Sequence, residues 1–432
     1  MDYISTGKLL EIFRQHPYIS TDSRKIHPGS IFFALRGDNF NGNQYALQAI
    51  ENGAAFAVID DPDLNANGKT LLVENVLQSL QHLASAYRSQ LKIPIIGITG
   101  TNGKTTSKEL IATALSARFQ TQATTGNFNN HIGVPITLLS IKPETEIAVV
   151  EMGANHIGEI ADLCSIARPT HGLITNIGKA HLEGFGGPEG VIRAKNELYE
   201  YFRKSGGIVF VNANDPLLMS LSADLDRVTY GAADSADFKG NPDKSGSLLE
   251  FEVTHPYQRR LKTRLAGTYN FDNAMAALCI AGHFRVEPDA AVDAVAGYEP
   301  KLNRSQVIST ERNTLILDAY NANPSSMKAA ILNFYSMQAS NKMLILGDMF
   351  ELGEAAAEEH HAILQIANDG GFSHILTAGP LFAAASADFP GVTSFDSVSA
   401  LMEHLEKQMI TGATILIKGS RGMKLETITP AL

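Results

Sequence analysis

The 432-residue sequence contains few cysteines and no long apolar segment. Its two cysteines, Cys164 and Cys279, lie in helix-like apolar stretches, which excludes a disulfide framework and predicts buried free thiols. Residues 1–13 lack a basic segment followed by an apolar one, and no window approaches about 18 consecutive apolar residues. We therefore expect a soluble, cytoplasmic protein without membrane insertion.

Positive charge is also scarce. The 35 Lys and Arg residues are outnumbered by 45 Asp and Glu residues, which gives a net charge of −10. An acidic chain is a poor ligand for nucleic acid or an anionic membrane, so neither is expected as a partner. A G-x-G-x-x-G fingerprint is absent too, which argues against a dinucleotide site. The length suits two or three domains.

The most informative stretch is Ile93–Leu110, IPIIGITGTNGKTTSKEL. An apolar run typical of a buried parallel strand precedes a Gly- and Asn-rich turn, and a helical pattern follows. Glycines let backbone N–H groups approach a phosphate, and the helix N-terminus attracts it. Lys104 would reach the β- and γ-phosphates, and Thr105 would place its hydroxyl on Mg²⁺. Because Ile98 replaces the first glycine of the common P-loop pattern, the motif is the variant T-G-T-N-G-K-T-T, and an ordinary βα turn is the alternative.

Two further predicted strands end in potential ligands. The strand 147–150 leads into Glu151, and the strand 171–175 leads to His181. Ligands of open α/β sheets bind at the carboxyl ends of strands, and a carboxylate oxygen suits Mg²⁺. A carboxylate that only stabilises a helix N-terminus and a structural histidine are the alternatives. Delivery of these groups to the same sheet edge as Lys104 and Thr105 favours a nucleotide and metal site.

Other polar positions have weaker signals. The Gly-rich segment 125–135, with Asn129 and Asn130, suits the lining of a site, and the amides at 270 and 273 could bind a nucleobase. Local sequence predicts that Lys195, in the helix 189–202, is solvated. The segment 234–246 is interpreted as a polar surface excursion.

The pattern divides the chain into three segments. Residues 1–91 form a small α/β unit, in which Ser23 and Arg24 read as a solvated turn and 38–43 as a loop. Residues 92–307 carry the P-loop ATPase-type parallel sheet. Residues 308–432 alternate strands and helices, which predicts a doubly wound parallel sheet. Its polar loops at 318–324, 346–353 and 418–422 would form the second wall of the central cleft.

Together these motifs resemble the ATP-dependent Mur ligases of peptidoglycan synthesis. The resemblance rests on the T-G-T-N-G-K-T-T loop, 151–154, 176–181, 270–273 and 318–324. The runs 129–135, 320–327 and 346–353 are similar to the branch that joins D-alanyl-D-alanine to UDP-N-acetylmuramoyl-tripeptide. The resemblance covers nearly the whole chain, but residues 41–43 read Asn-Gly-Asn where the family usually has D-G-H.

The family implies three α/β domains: one for the UDP-sugar, a central ATPase and a Rossmann-like C-terminal domain. It also implies that ATP converts the peptide carboxylate into an acyl phosphate, which the dipeptide amine attacks, with Mg²⁺ as the metal. The partners are then these two substrates, and we expect a monomer.

The resemblance also assigns roles to individual residues. Lys195 matches the lysine that the family carbamylates, and Arg304 matches the linker arginine that reaches the γ-phosphate. The implied catalytic residues are Lys104, His181, Lys195 and Arg304. The implied nucleotide contacts are Gly100, Thr101, Asn102, Gly103, Lys104, Thr105, Thr106, Asn270, Asn273, Arg304 and Asp318. The implied metal ligands are Thr105, Glu151, His181 and Lys195, and the implied substrate contacts are Ser23, Arg24, Asn129, Asn130, Tyr320, Asn321 and Asn323.

Four alternatives remain at this stage. A non-enzymatic binding module is the least favoured, because it gives no reason to gather a lysine, a hydroxyl, a carboxylate and an imidazole at one sheet edge. The sister ligase that adds the third, diamino residue typically carries D-N-P-R, which this chain lacks. Folylpolyglutamate synthase shares the nucleotide loop but lacks the 321–324 and 347–352 loops. A P-loop switch that hydrolyses nucleotide without making a bond belongs to a different class, and ATP turnover indifferent to every amine would favour it.

Overall fold

The computed structural model describes residues 3–64, 68–243, 246, 248–300, 303–339 and 341–432. The chain builds three α/β domains, each around its own sheet, as the sequence predicts. Lys301 and Leu302, the first residues of the expected linker motif, lie outside the described residues. Short 3-10 helices occur at Gly42–Tyr45, Pro62–Leu64, Thr268–Asn270, Gly353–Ala355, Ser386–Asp388, Arg421–Met423 and Leu425–Ala431.

The N-terminal domain has a four-stranded parallel sheet in the order β1-β2-β5-β6. Its strands are β1 (Ile19–Ser20), β2 (Ile31–Phe33), β3 (Arg36–Gly37), β4 (Phe40–Asn41), β5 (Phe56–Ile59) and β6 (Thr70–Leu72), and its helices are α1 (Thr6–Gln15), α2 (Ala46–Glu51) and α3 (Val76–Arg88). The prediction of a plain loop over 38–43 is wrong in part, because β3 and β4 pair as a short antiparallel hairpin.

The central domain contains a nine-stranded sheet in the order β15-β14-β13-β12-β11-β10-β7-β9-β8. Its strands are β7 (Ile95–Thr99), β8 (Thr121–Ala123), β9 (Ile147–Glu151), β10 (His171–Ile174), β11 (Ile208–Asn212), β12 (Arg227–Gly231), β13 (Phe238–Asp243), β14 (Leu248–His255) and β15 (Arg259–Ala266). Its helices are α4 (Lys104–Ser116), α5 (Gly133–Leu139), α6 (Glu159–Ala167), α7 (Leu182–Phe185), α8 (Pro188–Ser205), α9 (Pro216–Leu221), α10 (Phe271–His283) and α11 (Pro288–Gly297).

One expectation for this domain is wrong. The segment 234–246 is not only a surface excursion, because it contains β13, which pairs parallel to β12 and antiparallel to β14. With β14 and β15 it extends the parallel part of the sheet by an antiparallel section. Residues of β13 alternate between buried and more exposed positions, so its polar side chains face outward while Phe238 and Gly240 are buried.

The C-terminal domain has a six-stranded sheet in the order β16-β17-β21-β18-β19-β20, parallel except for β16. Its strands are β16 (Gln306–Ser309), β17 (Thr314–Leu317), β18 (Lys342–Gly347), β19 (His374–Ala378), β20 (Val392–Phe395) and β21 (Thr414–Lys418). Its helices are α12 (Pro324–Ser336), α13 (Ala356–Asp369), α14 (Pro380–Ala385) and α15 (Val398–Lys407). The weak strand expected at 392–395 is present.

The central sheet is covered on both faces. Ile95 and Ile174 pack in a hydrophobic cluster with helices such as α3, α6 and α8, whereas Ile96 and Ile98 pack against α4 and α10 on the other face. This arrangement explains why β7 reads as a continuous apolar run. Both cysteines are free and buried, as predicted. Among the described residues, the helices are too short or too polar to cross a membrane.

Candidate active site

The P-loop follows the strand at the middle of the site. Strand β7 lies between β10 and β9, so the three strands that carry the expected ligands are neighbours. Gly103 begins α4 with φ of 79°, a left-handed conformation that favours glycine. At Gly100, φ is 140° and a Cβ would lie 2.0 Å from Thr175 Oγ1. Both glycines are therefore needed to form the loop.

Lys104 lies within this loop. Its Nζ donates hydrogen bonds to the carbonyl oxygens of Gly100 at 2.7 Å and Thr101 at 3.1 Å. Burial lowers the pKa of Lys104, while the charge of Glu151 acts in the opposite direction and Arg304 adds to the lowering. An anion bound in the loop would stabilise the charged form of this ammonium.

Thr105 and Glu151 meet as the strand pattern predicts. Thr105 Oγ1 donates to Glu151 Oε1 at 3.2 Å, and Asn129 Nδ2 donates to the same oxygen at 2.8 Å. Glu151 is 1% exposed, and its Oε2 accepts no hydrogen bond in the described structure. A buried carboxylate oxygen with spare lone pairs beside a hydroxyl is a donor set that fits Mg²⁺.

The described residues contain no group of three or more His, Cys, Asp or Glu side chains that could hold a metal by themselves.

His181 begins the short helix α7 and borders the same cavity. Its Nδ1 contacts Glu351 Oε2 of the C-terminal domain. Burial lowers the pKa of His181, whereas the charge and hydrogen bond of Glu351 raise it. Because Nδ1 of His181 contacts Glu351, the other ring nitrogen, Nε2, is the one left to bind a ligand.

Lys195 does not occupy the solvated position that its local sequence predicts. It is 2% exposed, its Nζ donates to Ala154 O at 3.4 Å, and the ammonium lies 5.0 Å from the centre of the Phe185 ring. The helix α8 is amphipathic and turns this residue inward, toward the segment that follows Glu151. Burial lowers the pKa of Lys195 to about 7, so much of the amine is neutral near physiological pH.

Asn270 and Asn273 form a buried amide pair at the start of α10. Asn273 Nδ2 donates to Asn270 Oδ1 at 2.9 Å, and Asn270 Nδ2 donates to Ala266 O at 2.8 Å. Ser107 Oγ, from the P-loop helix, donates to Asn273 Oδ1 at 3.0 Å. The pair therefore joins α10 to α4 and borders the cavity beside Gly103.

Two cations stack on Tyr320. The guanidinium carbon of Arg304 lies 3.5 Å from the ring centre, and that of Arg421 lies 4.6 Å from it. Arg304 Nε is buried without a hydrogen-bond partner in the described structure. The ring thus holds the arginine that follows the linker between the central and C-terminal domains.

Asp318 is already paired with a lysine of its own domain and with the linker. Lys418 Nζ donates to Asp318 Oδ2 at 2.6 Å, and Ser305 N donates to Asp318 Oδ1 at 3.2 Å. Lys418 is 2% exposed and also donates to Asn321 O at 3.3 Å. This network fixes the loop 318–323 against the cavity.

The expected second wall is present only in part. The loop 318–323 and Lys418 border the cavity, but the loop 346–353 does not. Asp348 is fully buried and accepts hydrogen bonds from the N–H groups of Leu381 and Phe382, so it satisfies the start of α14. From this loop only Glu351 reaches a predicted site residue.

These groups surround one cavity of about 1000 Å³ between the domains. Four predicted residues, Gly100, Lys195, Ser23 and Arg24, are not part of its wall. The other predicted residues all border it: Thr101, Asn102, Gly103, Lys104, Thr105, Thr106, Asn129, Asn130, Glu151, His181, Asn270, Asn273, Arg304, Asp318, Tyr320, Asn321 and Asn323.

The N-terminal turn agrees with the solvated interpretation of its sequence. The Arg24 side chain is 85% exposed and pairs with Asp22 at 2.8 Å. Asn43, which stands where the family usually has histidine, is buried and donates to Asp60 Oδ1 at 2.7 Å. Asn43 Oδ1 in turn accepts from the Asp60 N–H at 3.1 Å. In this chain the position supports the local fold of the domain.

Sequence reasoning did not single out three residues that contact the site: Lys108, and Glu351 and Lys418, which it placed only as members of the second-wall loops. Lys108 follows Lys104 by four residues, and this helical spacing was a usable signal. Lys418 ends β21, and the strand-end rule placed its loop at the cleft without giving the lysine itself a role. No local signal identifies Glu351 as a partner of His181.

Models of one protein family match the chain in three consecutive parts. The Mur ligase family catalytic domain matches residues 17–96, the Mur ligase middle domain matches 98–281, and the Mur ligase glutamate ligase domain matches 303–421. Together with the P-loop and its magnesium-type donor set, these matches define the class of protein. The chain belongs to the Mur ligase family of ATP-dependent ligases.

Similarity to individual proteins is more specific. The chain is 35% identical over 425 residues to UDP-N-acetylmuramoyl-tripeptide--D-alanyl-D-alanine ligase of Bacillus subtilis, covering 96% of this chain and 92% of that protein. Its fold is similar to the crystal structure of MurF from Acinetobacter baumannii, with a TM-score of 0.88, 30% identity and coverage of 96% and 92%. It is also similar to MurF ligase from Thermotoga maritima, which was crystallised with ADP, with a TM-score of 0.84, 24% identity and 96% coverage of both chains.

Proposed function

We propose that this protein joins D-alanyl-D-alanine to UDP-N-acetylmuramoyl-tripeptide with ATP, as a step of peptidoglycan precursor synthesis. The observation that carries the proposal is the shared cavity, in which a P-loop with a hydroxyl and carboxylate pair faces polar loops of the C-terminal domain. The similarity to the Bacillus subtilis ligase over 96% of the chain selects this reaction among those of the family.

The roles of the nucleotide contacts follow from their positions. The amides of residues 100–106 and the positive end of α4 would bind the phosphates, and Asn270 and Asn273 would lie toward the base. Lys104 would neutralise charge on the phosphoryl group during transfer. Arg304, held on Tyr320, would approach the same group from the linker.

Thr105 and Glu151 would hold Mg²⁺, with His181 and Lys195 as further ligands of a second ion. When bound, the metal supplies Lewis-acid stabilisation of the charge on phosphate and carboxylate oxygens. The chain's own contribution is to orient these ligands. Asn129 directs Glu151 Oε1 through a 2.8 Å hydrogen bond, and Glu351 fixes the ring of His181.

The cavity would promote two successive steps on the peptide. A carboxylate is a poor electrophile because oxide is a poor leaving group, so its oxygen first takes the γ-phosphoryl group and releases ADP. The dipeptide amine then attacks the acyl carbon of the acyl phosphate, and phosphate leaves. Asn129, Asn130, Tyr320, Asn321 and Asn323 would position the two substrates, since all five residues line this cavity.

Lys195 would act as a carbamate rather than as an ammonium. Its burial and low pKa supply the neutral amine that reacts with CO₂. Carbamylation would convert a cation into a carboxylate behind the segment that follows Glu151, which suits a metal ligand.

The UDP moiety would bind at the N-terminal domain near Ser23 and Arg24, where a phosphate would compete with Asp22 for the exposed guanidinium of Arg24. We propose domain boundaries at 91/92 and 307/308, although β16 already begins at Gln306. We also propose a monomer that acts in the cytoplasm, where ATP and UDP-linked precursors are available.

Phosphate release tests the proposal. The protein is incubated with ATP, Mg²⁺ and UDP-N-acetylmuramoyl-tripeptide, with and without D-alanyl-D-alanine, and the product is followed by mass. We expect release that requires the dipeptide and a mass gain equal to its addition. If phosphate release responded only to another amine or acid, the family assignment would stand and the proposed substrates would be wrong. If release were indifferent to every amine and acid, the nucleotide switch would be favoured.

A further inference from the structure

Lys108 is a buried lysine to which the proposed mechanism gives no role. It follows Lys104 by one helical turn on α4, and its exposed fraction is 0%. A lysine is almost never fully buried unless its charge and its three N–H groups are satisfied. The partners of this ammonium therefore indicate what it does.

The partners belong to the segment behind the metal ligand. Lys108 Nζ donates to Thr124 O at 2.6 Å and Gly126 O at 3.3 Å, and it pairs with the half-exposed Glu109 at 3.0 Å. It also lies 3.8 Å from Glu151 Oε2, the oxygen that accepts no hydrogen bond in the described structure. Glu151 is thus the one fully buried charge among its partners.

The segment that Lys108 binds leads to Asn129. Thr124 Oγ1 accepts from the Glu151 N–H at 3.0 Å, and Asn129 O accepts from the Gly153 N–H at 2.7 Å. The Asn129 side chain then donates to Glu151. Between these contacts with Glu151 and Gly153, Lys108 anchors the segment to the P-loop helix.

We propose that Lys108 is a positioning residue for the ligation reaction. It holds the backbone at 124–126 so that Asn129 and Asn130 face the cavity and Asn129 meets Glu151. The inference rests on the proposed function, which assigns Asn129 and Asn130 of this segment to the positioning of the substrates. Lys108 contacts neither substrate and acts through Asn129 and Glu151.

The test compares two substitutions with a matched control. Lys108→Met keeps the length of the side chain and removes its charge and donors, and Lys108→Arg keeps the charge. Lys342→Met is the control, because Lys342 Nζ donates to three backbone carbonyls, of Phe334, Tyr335 and Met337, in the C-terminal domain away from the cavity.

For Lys108→Met we expect kcat/KM for UDP-N-acetylmuramoyl-tripeptide to fall roughly 100-fold, the loss that small misplacements in an active site produce. Affinity for a non-hydrolysable ATP analogue, measured by calorimetry, should stay within about threefold, because the loop amides are untouched. Lys108→Arg should recover part of the loss. Lys342→Met should lower the melting temperature without changing either constant.

Hydrogen–deuterium exchange of the ligand-free proteins supplies a second readout. Amides of residues 124–130 should exchange faster in Lys108→Met than in the wild type. In Lys108→Arg they should exchange close to the wild-type rate. If the methionine variant does not fold, the arginine variant is compared with the wild type alone, and faster exchange of residues 124–130 in it would contradict the role of the charge. Two results would overturn the positioning role. One is exchange of residues 124–130 in Lys108→Met at the wild-type rate, and the other is a Lys108→Met protein whose KM for UDP-N-acetylmuramoyl-tripeptide and kcat equal those of the wild type. If the wild-type protein failed to ligate the dipeptide, the proposed function would fall, while the exchange comparison would still decide the role of Lys108.

Discussion

At the scale of single residues, the site depends on charged groups that are buried with few partners. Glu151 is the strongest example, because one of its oxygens accepts two hydrogen bonds and the other accepts none. A carboxylate in this state is costly in the absence of a cation. The Lys108 ammonium lies 3.8 Å from the free oxygen, and we propose that a bound metal ion would add a second positive charge there.

Glu151→Gln should abolish most of the Mg²⁺-dependent ligation. The amide keeps the size of the side chain but removes its charge. We therefore expect kcat/KM of the ligation reaction to fall by on the order of 100-fold and the half-saturating Mg²⁺ concentration to rise. Ligation is measured over a Mg²⁺ titration. Asp348→Asn is the matched control, because Asp348 is equally buried but caps α14, and its loss should lower only the melting temperature. A Glu151→Gln protein with full Mg²⁺-dependent activity would rule out the metal role.

Lys195 should carry a carbamate. Since its pKa lies at about 7, most of the amine is neutral at pH 8 and can attack CO₂. In protein equilibrated with ¹³C-bicarbonate at pH 8, we expect a carbamate resonance in the ¹³C NMR spectrum. Lys195→Arg should remove that resonance, whereas Lys108→Arg should retain it. A spectrum that is identical in the wild-type and Lys195→Arg proteins would contradict the prediction.

At the scale of elements, the linker after α11 is held by an aromatic ring of the next domain. Because cation–π contacts contribute about 0.5–2 kcal/mol, replacing Tyr320 by Leu should reduce kcat/KM for ATP by about 2- to 30-fold through Arg304. Tyr320→Phe keeps the ring and should stay near wild type. The control is Tyr335→Leu on α12, which breaks a similar contact between the Tyr335 ring and Lys342. Equal rates for the Phe and Leu variants at position 320 would show that the stack is not needed.

The same scale shows what sequence could predict. Sequence alone could place three features at one edge of the central sheet: the P-loop strand, Glu151 and the 176–181 loop. The carboxyl ends of parallel strands converge at one edge, and the strands can be recognised from the order of residues along the chain. Lys195, β13 and Asp348 could not be placed, because their environments are set by distant segments. Lys195 points toward Ala154, β13 is fixed by pairing with β12 and β14, and Asp348 is fixed by α14. Asn43 shows the same limit, since its partner Asp60 follows 17 residues later.

At the scale of the whole molecule, one loop joins the P-loop to the C-terminal domain. Asn176 O accepts from Thr101 N at 2.9 Å, while Lys179 pairs with Glu359 at 2.6 Å and His181 contacts Glu351. Asn323 Nδ2 also donates directly to Asn102 Oδ1 at 2.7 Å. The geometry of the phosphate loop is therefore tied to the position of the C-terminal domain.

Reversing the charge of one of these contacts should open the molecule. In the Lys179–Glu359 pair the lysine is half-exposed and the glutamate is buried, and Lys179→Glu replaces attraction by repulsion from Glu359 and the nearby Glu358. We expect a larger radius of gyration by small-angle X-ray scattering without substrates and a higher KM for ATP. Lys8→Glu reverses a pair with Glu11 in the N-terminal domain in which both side chains are exposed, and it should change neither quantity. A Lys179→Glu protein with wild-type scattering and KM would show that the Asn102–Asn323 and His181–Glu351 contacts suffice to hold the two domains together.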